Sequence, residues 1–93
     1  MSTLAKLRQA VSLLDVPAEI EDDGAVWDEG TIVVQLDQSR KREFAHGATV
    51  VCASYYTSEK GSKAAAFASL IKDVERGTRP MSESTAHDCG VDL

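Results

Sequence analysis

Aromatic residues, cysteines and prolines are scarce in this chain of 93 residues. Aromatic residues make up 5% of it, and it has two cysteines and two prolines. Cys52 and Cys89 lack the local spacing of a disulfide framework or a zinc motif. The core must therefore be mainly aliphatic, and we expect Cys52 to lie in it as a small buried hydrophobe.

Long apolar runs are also missing, which argues against a membrane protein. None approaches the roughly 20 residues that span a bilayer. Near the N-terminus, Lys6 and Arg8 interrupt the apolar residues instead of preceding them, unlike a secretory signal. The composition is 43% hydrophobic and 27% charged, which is typical of globular proteins. We expect a soluble, cytoplasmic protein without membrane association.

Two segments have the apolar spacing of amphipathic helices. In the first, Thr3–Leu14, apolar residues recur every three or four positions before Pro17 ends the pattern. In the second, Ser62 is the expected N-cap and Gly77 the residue that ends the helix. Its apolar stripe consists of Phe67, Leu70, Ile71 and Val74.

The segment between the helices has the patterns of strands and turns. Thr31–Leu36 alternates apolar and polar residues, which predicts a strand with one buried face. Thr49–Thr57 is rich in β-branched and aromatic residues and is expected to be the central strand. Asp22-Asp23-Gly24 is expected to be a turn, followed by a short extended segment over Ala25–Asp28. Lys41–His46 fits either a short edge strand or a loop.

This order predicts an α+β two-layer sandwich with a small antiparallel sheet of two to three strands and a helix at each end. Residues 1–77 would form one globular domain. Residues 78–93 have no periodic apolar pattern and contain Pro80, Gly90 and several serines. We expect them to form a flexible tail.

The formal net charge of −5 is unevenly distributed along the chain. Seven acidic residues between positions 15 and 29 follow one another without an intervening lysine or arginine, and Trp27 lies among them. Trp27 fits a core position at one end of the sheet or, if exposed, an interface anchor. One of the consecutive tyrosines on the predicted strand must face away from the helices. The predicted partner-binding residues are Asp22, Asp23, Trp27, Asp28, Glu29, Tyr55 and Tyr56.

These residues favour a small, acidic, non-enzymatic protein-interaction module that occludes or bridges a macromolecular partner. Inhibitors and accessory proteins of phages and other mobile elements belong to this class. The expected partner is another protein with a basic surface. If helices cover only one side of the sheet, the other side is open, and Val33, Val51 and Ala53 with one tyrosine would make it apolar. A homodimer through that open face is a further possibility.

The alternative is a nucleic-acid-binding module that uses Arg40, Lys41, Arg42 and Lys63 to contact phosphates. Residues 59–66, Glu-Lys-Gly-Ser-Lys-Ala-Ala-Ala, resemble the lysine- and alanine-rich start of the second helix of double-stranded RNA-binding domains. The predicted order of helix, three strands and helix is also the order in that family. The resemblance is limited to this octet, which lacks the run of lysines found in the family. It implies a similar fold and does not by itself imply the family's function.

The sequence contains no clear catalytic or metal-binding constellation. His46 and Cys52 are separated by a predicted strand start, and no oxyanion-binding motif accompanies them. His87-Asp88-Cys89 provides three adjacent donors, a spacing that rarely closes a metal shell. We therefore expect neither enzymatic activity nor a metal or other cofactor.

Overall fold

The computed structural model describes residues 3–91 and has an α+β fold. The helices are α1 (Thr3–Ser12), α2 (Ser62–Glu75) and α3 (Glu83–Cys89). The strands are β1 (Ala18–Val26), β2 (Glu29–Leu36), β3 (Arg42–Phe44), β4 (Val50–Tyr56) and β5 (Thr78–Pro80). A short 3₁₀ turn, Gln38–Arg40, follows β2. The predicted two-layer class and the order of helix, strands and helix are confirmed.

Strands β1, β2 and β4 form an antiparallel sheet with β2 in the middle. Ile32, Val34 and Leu36 of β2 are buried, which confirms the alternation predicted from the sequence. Val34 lies opposite Ile20 on one side and Val51 on the other, so these three side chains share one face of the sheet. This face forms one half of the core.

The two long helices supply the other half of the core. Leu7 of α1 is fully buried, as are Phe67, Leu70 and Val74 of the predicted stripe on α2. Helix α2 packs against β4 and against α1. Both helices therefore lie on the same side of the sheet, and its opposite side carries no helix from this pair.

The ends of α2 follow the sequence prediction at one terminus and differ from it at the other. Gly77, at φ 80°, ends the helix in the left-handed conformation that favours glycine. At the start, Gly61 occupies the N-cap position, and Ser62 is the first helical residue instead of the predicted cap. The Ser62 hydroxyl accepts a hydrogen bond from the backbone N–H of Tyr56 at 2.9 Å. Ser62 thus ties the helix start to β4.

The acidic segment forms a long strand that the sequence interpretation missed. Asp22-Asp23-Gly24, expected to be a turn, is a bulge within β1, where the register to β2 shifts between Asp22 and Ala25. Gly24 adopts φ 77°, and its N–H donates to the Asp22 carboxylate at 3.1 Å. Because glycine tolerates this conformation, the strand continues through the bulge to Val26. The predicted extended segment, Ala25–Asp28, is the end of this strand and the start of the turn after it.

Strand β4 is an edge strand, not the central one as predicted. Lys41–His46, which fitted either a strand or a loop, contributes β3, but β3 pairs with β5 in a separate two-stranded sheet. In this pair the buried Glu43 lies opposite Arg79, with the Arg79 Nε atom 2.9 Å from its carboxylate. In the described residues β3 therefore lies outside the main sheet, where β2 is central because it pairs with both β1 and β4.

Regular secondary structure extends into the segment expected to be a flexible tail. Besides β5, residues 78–91 contain α3, which has Ser82 as its N-cap and Gly90 at its end. Met81 and Ala86 are buried, and the Cys89 sulfur lies 3.7 Å from the hydroxyl oxygen of the buried Thr49. Only these two apolar side chains of the segment are buried against the rest of the fold. Its sequence therefore shows no periodic apolar pattern.

Gly30 and Tyr55 form a close cross-strand contact on the inner face. They are register partners, and the buried Tyr55 ring lies directly over Gly30. A Cβ atom at position 30 would be 2.3 Å from the ring carbon Cζ. The close approach of the ring therefore requires glycine at this position of β2.

We expect Gly30→Ala to lower the free energy of unfolding by about 1–3 kcal/mol, because the added methyl group overpacks the site. Chemical denaturation measures this loss. Ser54→Ala, an exposed substitution in the adjacent strand, should change it by less than about 0.5 kcal/mol. In a Tyr55→Leu background the cost of Gly30→Ala should fall, because the clashing ring is gone. An equal loss of stability in both backgrounds would show that the Tyr55 ring is not the reason why position 30 requires glycine.

Candidate interaction surface

The outer side of the main sheet is an uncovered surface, which we call the open sheet face. Burial alternates along all three strands, and residues directly opposite one another share a face. These relations place twelve side chains on the outer side. The open sheet face consists of Glu19, Glu21, Asp23 and Val26 from β1, Glu29, Thr31, Val33 and Gln35 from β2, and Val50, Cys52, Ser54 and Tyr56 from β4.

One half of the open sheet face is acidic. Glu19, Glu21 and Asp23 occur at every second position of β1 and are exposed. This spacing separates successive carboxylates by roughly 6.6 Å along the strand. Glu29, also exposed, adds a fourth carboxylate near the turn. Since β1, β2 and β4 contain no lysine or arginine, the strands supply no cation to balance these charges.

The other half of the open sheet face is largely apolar. Tyr56 is 47% exposed, Val50 is 39% exposed, and Cys52 between them is also exposed. Half-buried Val33 lies opposite Cys52 in the register. The expected burial of Cys52 is wrong, because it points away from the helices. Val51 and Ala53, expected on the open face, lie on the inner side, where they pack in or against the core.

Trp27 projects from the tip of the β1–β2 hairpin. Its side chain is 99% exposed, so the expected core position is wrong and the alternative, an exposed residue suited to an interface, matches the structure. Its backbone has φ 63°, a left-handed conformation that costs a non-glycine residue on the order of 1 kcal/mol. Both the exposure and the backbone conformation are unfavourable in the isolated chain, which makes Trp27 a candidate contact residue.

Asp28, next to Trp27, is used within the fold. Its carboxylate accepts hydrogen bonds at 2.7 Å from the Thr57 hydroxyl, the Ser58 backbone N–H and the Ser58 hydroxyl. Its backbone carbonyl accepts another from the Thr57 N–H. The Ser58 and Thr57 hydrogen bonds hold the pKa of Asp28 below its usual value. Asp28 thereby fastens the hairpin tip to the β4–α2 loop.

Two further predicted contact residues also serve the fold. Tyr55 is only 2% exposed and belongs to the core. Asp22 points to the helix side, where its carboxylate lies 3.4 Å from Lys63 Nζ. Among the predicted partner-binding residues, Asp23, Glu29 and Tyr56 lie on the open sheet face, and Trp27 is exposed in the adjoining turn. Sequence reasoning missed Glu19 and Glu21 as members of this surface, although their spacing of two was a strand signal.

The four cations of the nucleic-acid alternative do not form one free group. Lys63 pairs with Asp22 and lies 5.2 Å from the centroid of the Tyr55 ring. Arg42 forms an ion pair with Asp15 and donates a hydrogen bond to the Thr78 carbonyl at 3.4 Å. Arg40 and Lys41 are exposed at the 3₁₀ turn and the residue that follows it. Two of the four charges are therefore already engaged within the chain.

The histidine, cysteine, aspartate and glutamate side chains are the candidates for metal binding. Within residues 3–91, no group of three or more histidine, cysteine, aspartate or glutamate side chains is placed to hold a metal ion. His46 stacks on Phe44, with ring centroids 5.9 Å apart. None of the helices in this part of the chain has the length and apolarity needed to cross a membrane.

Comparison of the chain with protein-family models, with curated proteins and with solved structures found no match. The functional argument therefore depends on the geometry and charge of this chain alone.

We expect Asp28→Ala to lower the melting temperature at pH 7, because it removes three hydrogen bonds that hold the hairpin tip. A lowered pKa in the folded state stabilises the fold fully above about pH 5, and this contribution is lost as the pH falls below about 4. The difference from the unchanged chain should therefore shrink at pH 3. Thermal unfolding at both pH values measures it, with exposed Asp23→Ala as the control. A difference that is equal at both pH values would contradict the role of the carboxylate.

Proposed function

We propose that the chain is a small, cytoplasmic, non-enzymatic interaction module that binds a protein with a basic surface through the open sheet face. By covering that surface, it would occlude the partner or bridge it to another component. The observation that carries the proposal is the composition of the face: four exposed carboxylates, on strands without lysine or arginine, and an exposed apolar strip along β4. Exposed Trp27 lies in the turn between Val26 and Glu29, which both belong to this face.

Each part of the surface suits a different step of association. The uncompensated carboxylates create a local negative potential, which accelerates the approach of a positively charged protein and orients it. Tyr56, Val50 and Trp27 offer apolar area that becomes buried on contact, and tryptophan and tyrosine are enriched among residues that dominate binding energy. The bonds of Asp28 to the β4–α2 loop hold the hairpin tip in place before binding, which reduces the ordering cost.

A hetero-partner fits this surface better than a second copy of the chain. Two open sheet faces brought together would contain carboxylates and neutral side chains from β1, β2 and β4, and no lysine or arginine from these strands. Desolvating carboxylates without a cationic partner is unfavourable. The homodimer is therefore the weaker form of the proposal, and light scattering of the free chain distinguishes the two.

Nucleic-acid binding through Arg40, Lys41, Arg42 and Lys63 stays a prediction of the alternative function. The engagement of Arg42 with Asp15 and of Lys63 with Asp22 weighs against it. The acidic half of the open sheet face would also repel phosphates. The alternative predicts capture that depends on intact nucleic acid and falls steeply with salt.

The proposal predicts that partner capture depends on the charges of the open sheet face. A variant with Glu19→Gln, Glu21→Gln, Asp23→Asn and Glu29→Gln should retain about a tenth or less of the bound partner, because each lost ion pair weakens binding. The measurement is affinity capture from a nuclease-treated lysate, quantified by mass spectrometry. The control variant, Glu59→Gln, Glu75→Gln, Glu83→Gln and Asp88→Asn, removes the same charge elsewhere and should bind normally.

The same capture experiment includes Trp27→Asn, because asparagine tolerates a positive φ and the turn should be kept. Its matched control is Leu13→Asn, which removes another apolar side chain that is 81% exposed. We expect loss of the partner with the first substitution and not with the second. Capture that survives both the carboxylate variant and Trp27→Asn would refute the proposed surface. Loss of capture on nuclease treatment would favour the alternative.

A further inference from the structure

Strand β1 has an unpaired edge. It is bonded to β2 along one side, and within residues 3–91 no strand pairs with its other side. No other backbone group of the described chain bonds to Ala18–Val26 along that edge. The strand contains neither lysine nor proline, but its carboxylates and the bulge after Asp22 oppose pairing with another acidic edge, so an added strand must be basic. Its free N–H and C=O groups can therefore pair with an added strand.

A groove accompanies this edge on the helix side of the sheet. It has a volume of about 540 Å³ and lies between α1 and the first half of β1. Leu4 and Val11 of α1 line it together with Ala18 and Ile20 of β1. All four side chains are only partly buried, so this part of the groove offers apolar surface that the core does not cover. Arg8, Ser12 and Asp22 form the rest of the lining, which is polar and has one charge of each sign.

The two faces of the β1 edge thus differ in what they would accept. On the open sheet face, Glu19 and Glu21 lie beside the position of an added strand, and Asp23 follows them in the bulge. On the helix side, Ala18 and Ile20 lie beside the same position and face the groove, and Asp22, paired with Lys63, follows them. Neighbouring strands place their alternate side chains on these two faces in turn. A complementary segment therefore alternates basic and apolar residues.

We propose that the partner contributes an extended segment of alternating basic and apolar residues, which adds to the sheet as a strand along β1. This inference rests on the proposed function and specifies the partner's chemistry. Backbone hydrogen bonds to the free edge provide affinity, and the two sets of side chains provide specificity. The basic side chains pair with the carboxylates, and the apolar ones fill the groove. The bulge after Asp22 limits the regular pairing to Ala18–Asp22.

The test uses a synthetic probe with a defined sequence. A capped heptapeptide that alternates lysine and valine is titrated into the isotopically labelled chain and followed by NMR. We expect chemical-shift changes concentrated at the amides of Ala18–Asp22 and at groove residues Leu4 and Val11. A peptide of the same composition, with its lysines and valines in two blocks, should bind about tenfold more weakly, because it cannot satisfy both faces at once.

Two further probes separate strand addition from charge attraction alone. An alternating peptide that is N-methylated on the residues facing β1 keeps its charges but loses the pairing N–H groups, so its binding should fall at least about tenfold. The chain variant Glu19→Gln, Glu21→Gln and Asp23→Asn should bind the unmodified peptide about tenfold more weakly and leave its own fold intact.

Equal binding of the alternating and blocked peptides would overturn the inference. So would shift changes centred on Val50, Cys52 and Tyr56, or full binding of the N-methylated peptide. These outcomes leave the proposed function in place, because it is decided separately by partner capture with the open-face variants. The proposed function would be refuted by a different result, namely partner capture that is unchanged in the open-face variants.

Discussion

The structure depends on one constraint: two helices cover one face of a three-stranded sheet. Burial of Ile32, Val34 and Leu36 against Leu7, Phe67 and Leu70 fixes which side of every strand points inward. Because side chains alternate along a strand, the same packing determines the outer side chains. The acidic row of β1 and the apolar strip of β4 are consequences of this arrangement. The packing of the core therefore also determines which residues form the open sheet face.

The hairpin tip shows how local bonds support an exposed contact residue. Trp27 has no burial to hold it, and its backbone conformation is unfavourable for a non-glycine residue. The adjacent Asp28 compensates by bonding to Thr57 and Ser58, which belong to the loop before α2. The tip is therefore connected to the core through α2. Such preorganisation is valuable in a binding surface, since ordering a loop on contact weakens affinity.

Sequence reasoning predicted the helices and strands that bury one complete face, because their apolar residues then recur with the period of the element. The stripe on α2 and the alternation of Ile32, Val34 and Leu36 are examples, because each buries a full face against the core. It missed β1, whose inward positions include Asp22 and only partly buried Ala18 and Ile20, so the apolar half of the alternation was weak. Helix α3 escaped notice for a similar reason, because only Ala86 is buried within it.

The candidate surface was only partly predictable, for a different physical reason. The acidic composition and the prominence of Trp27 are visible in the sequence. Which carboxylates are free is decided by tertiary contacts: Asp22 meets Lys63, and Asp28 meets Thr57 and Ser58. The unpaired edge of β1 follows from the strand order β1-β2-β4, which is a tertiary property. The local sequence pattern indicates neither the tertiary contacts of these carboxylates nor the order of the strands.

The most direct test of the central claim is the rate at which Cys52 is alkylated in the free chain and in the captured complex. Cys52 is an exposed residue of the open sheet face, whereas Cys89 is half-buried on α3 and provides an internal reference in the same sample. We predict that partner binding slows Cys52 labelling at least about tenfold and leaves Cys89 unchanged. An unchanged Cys52 rate in the complex would show that the partner binds elsewhere and would contradict the account.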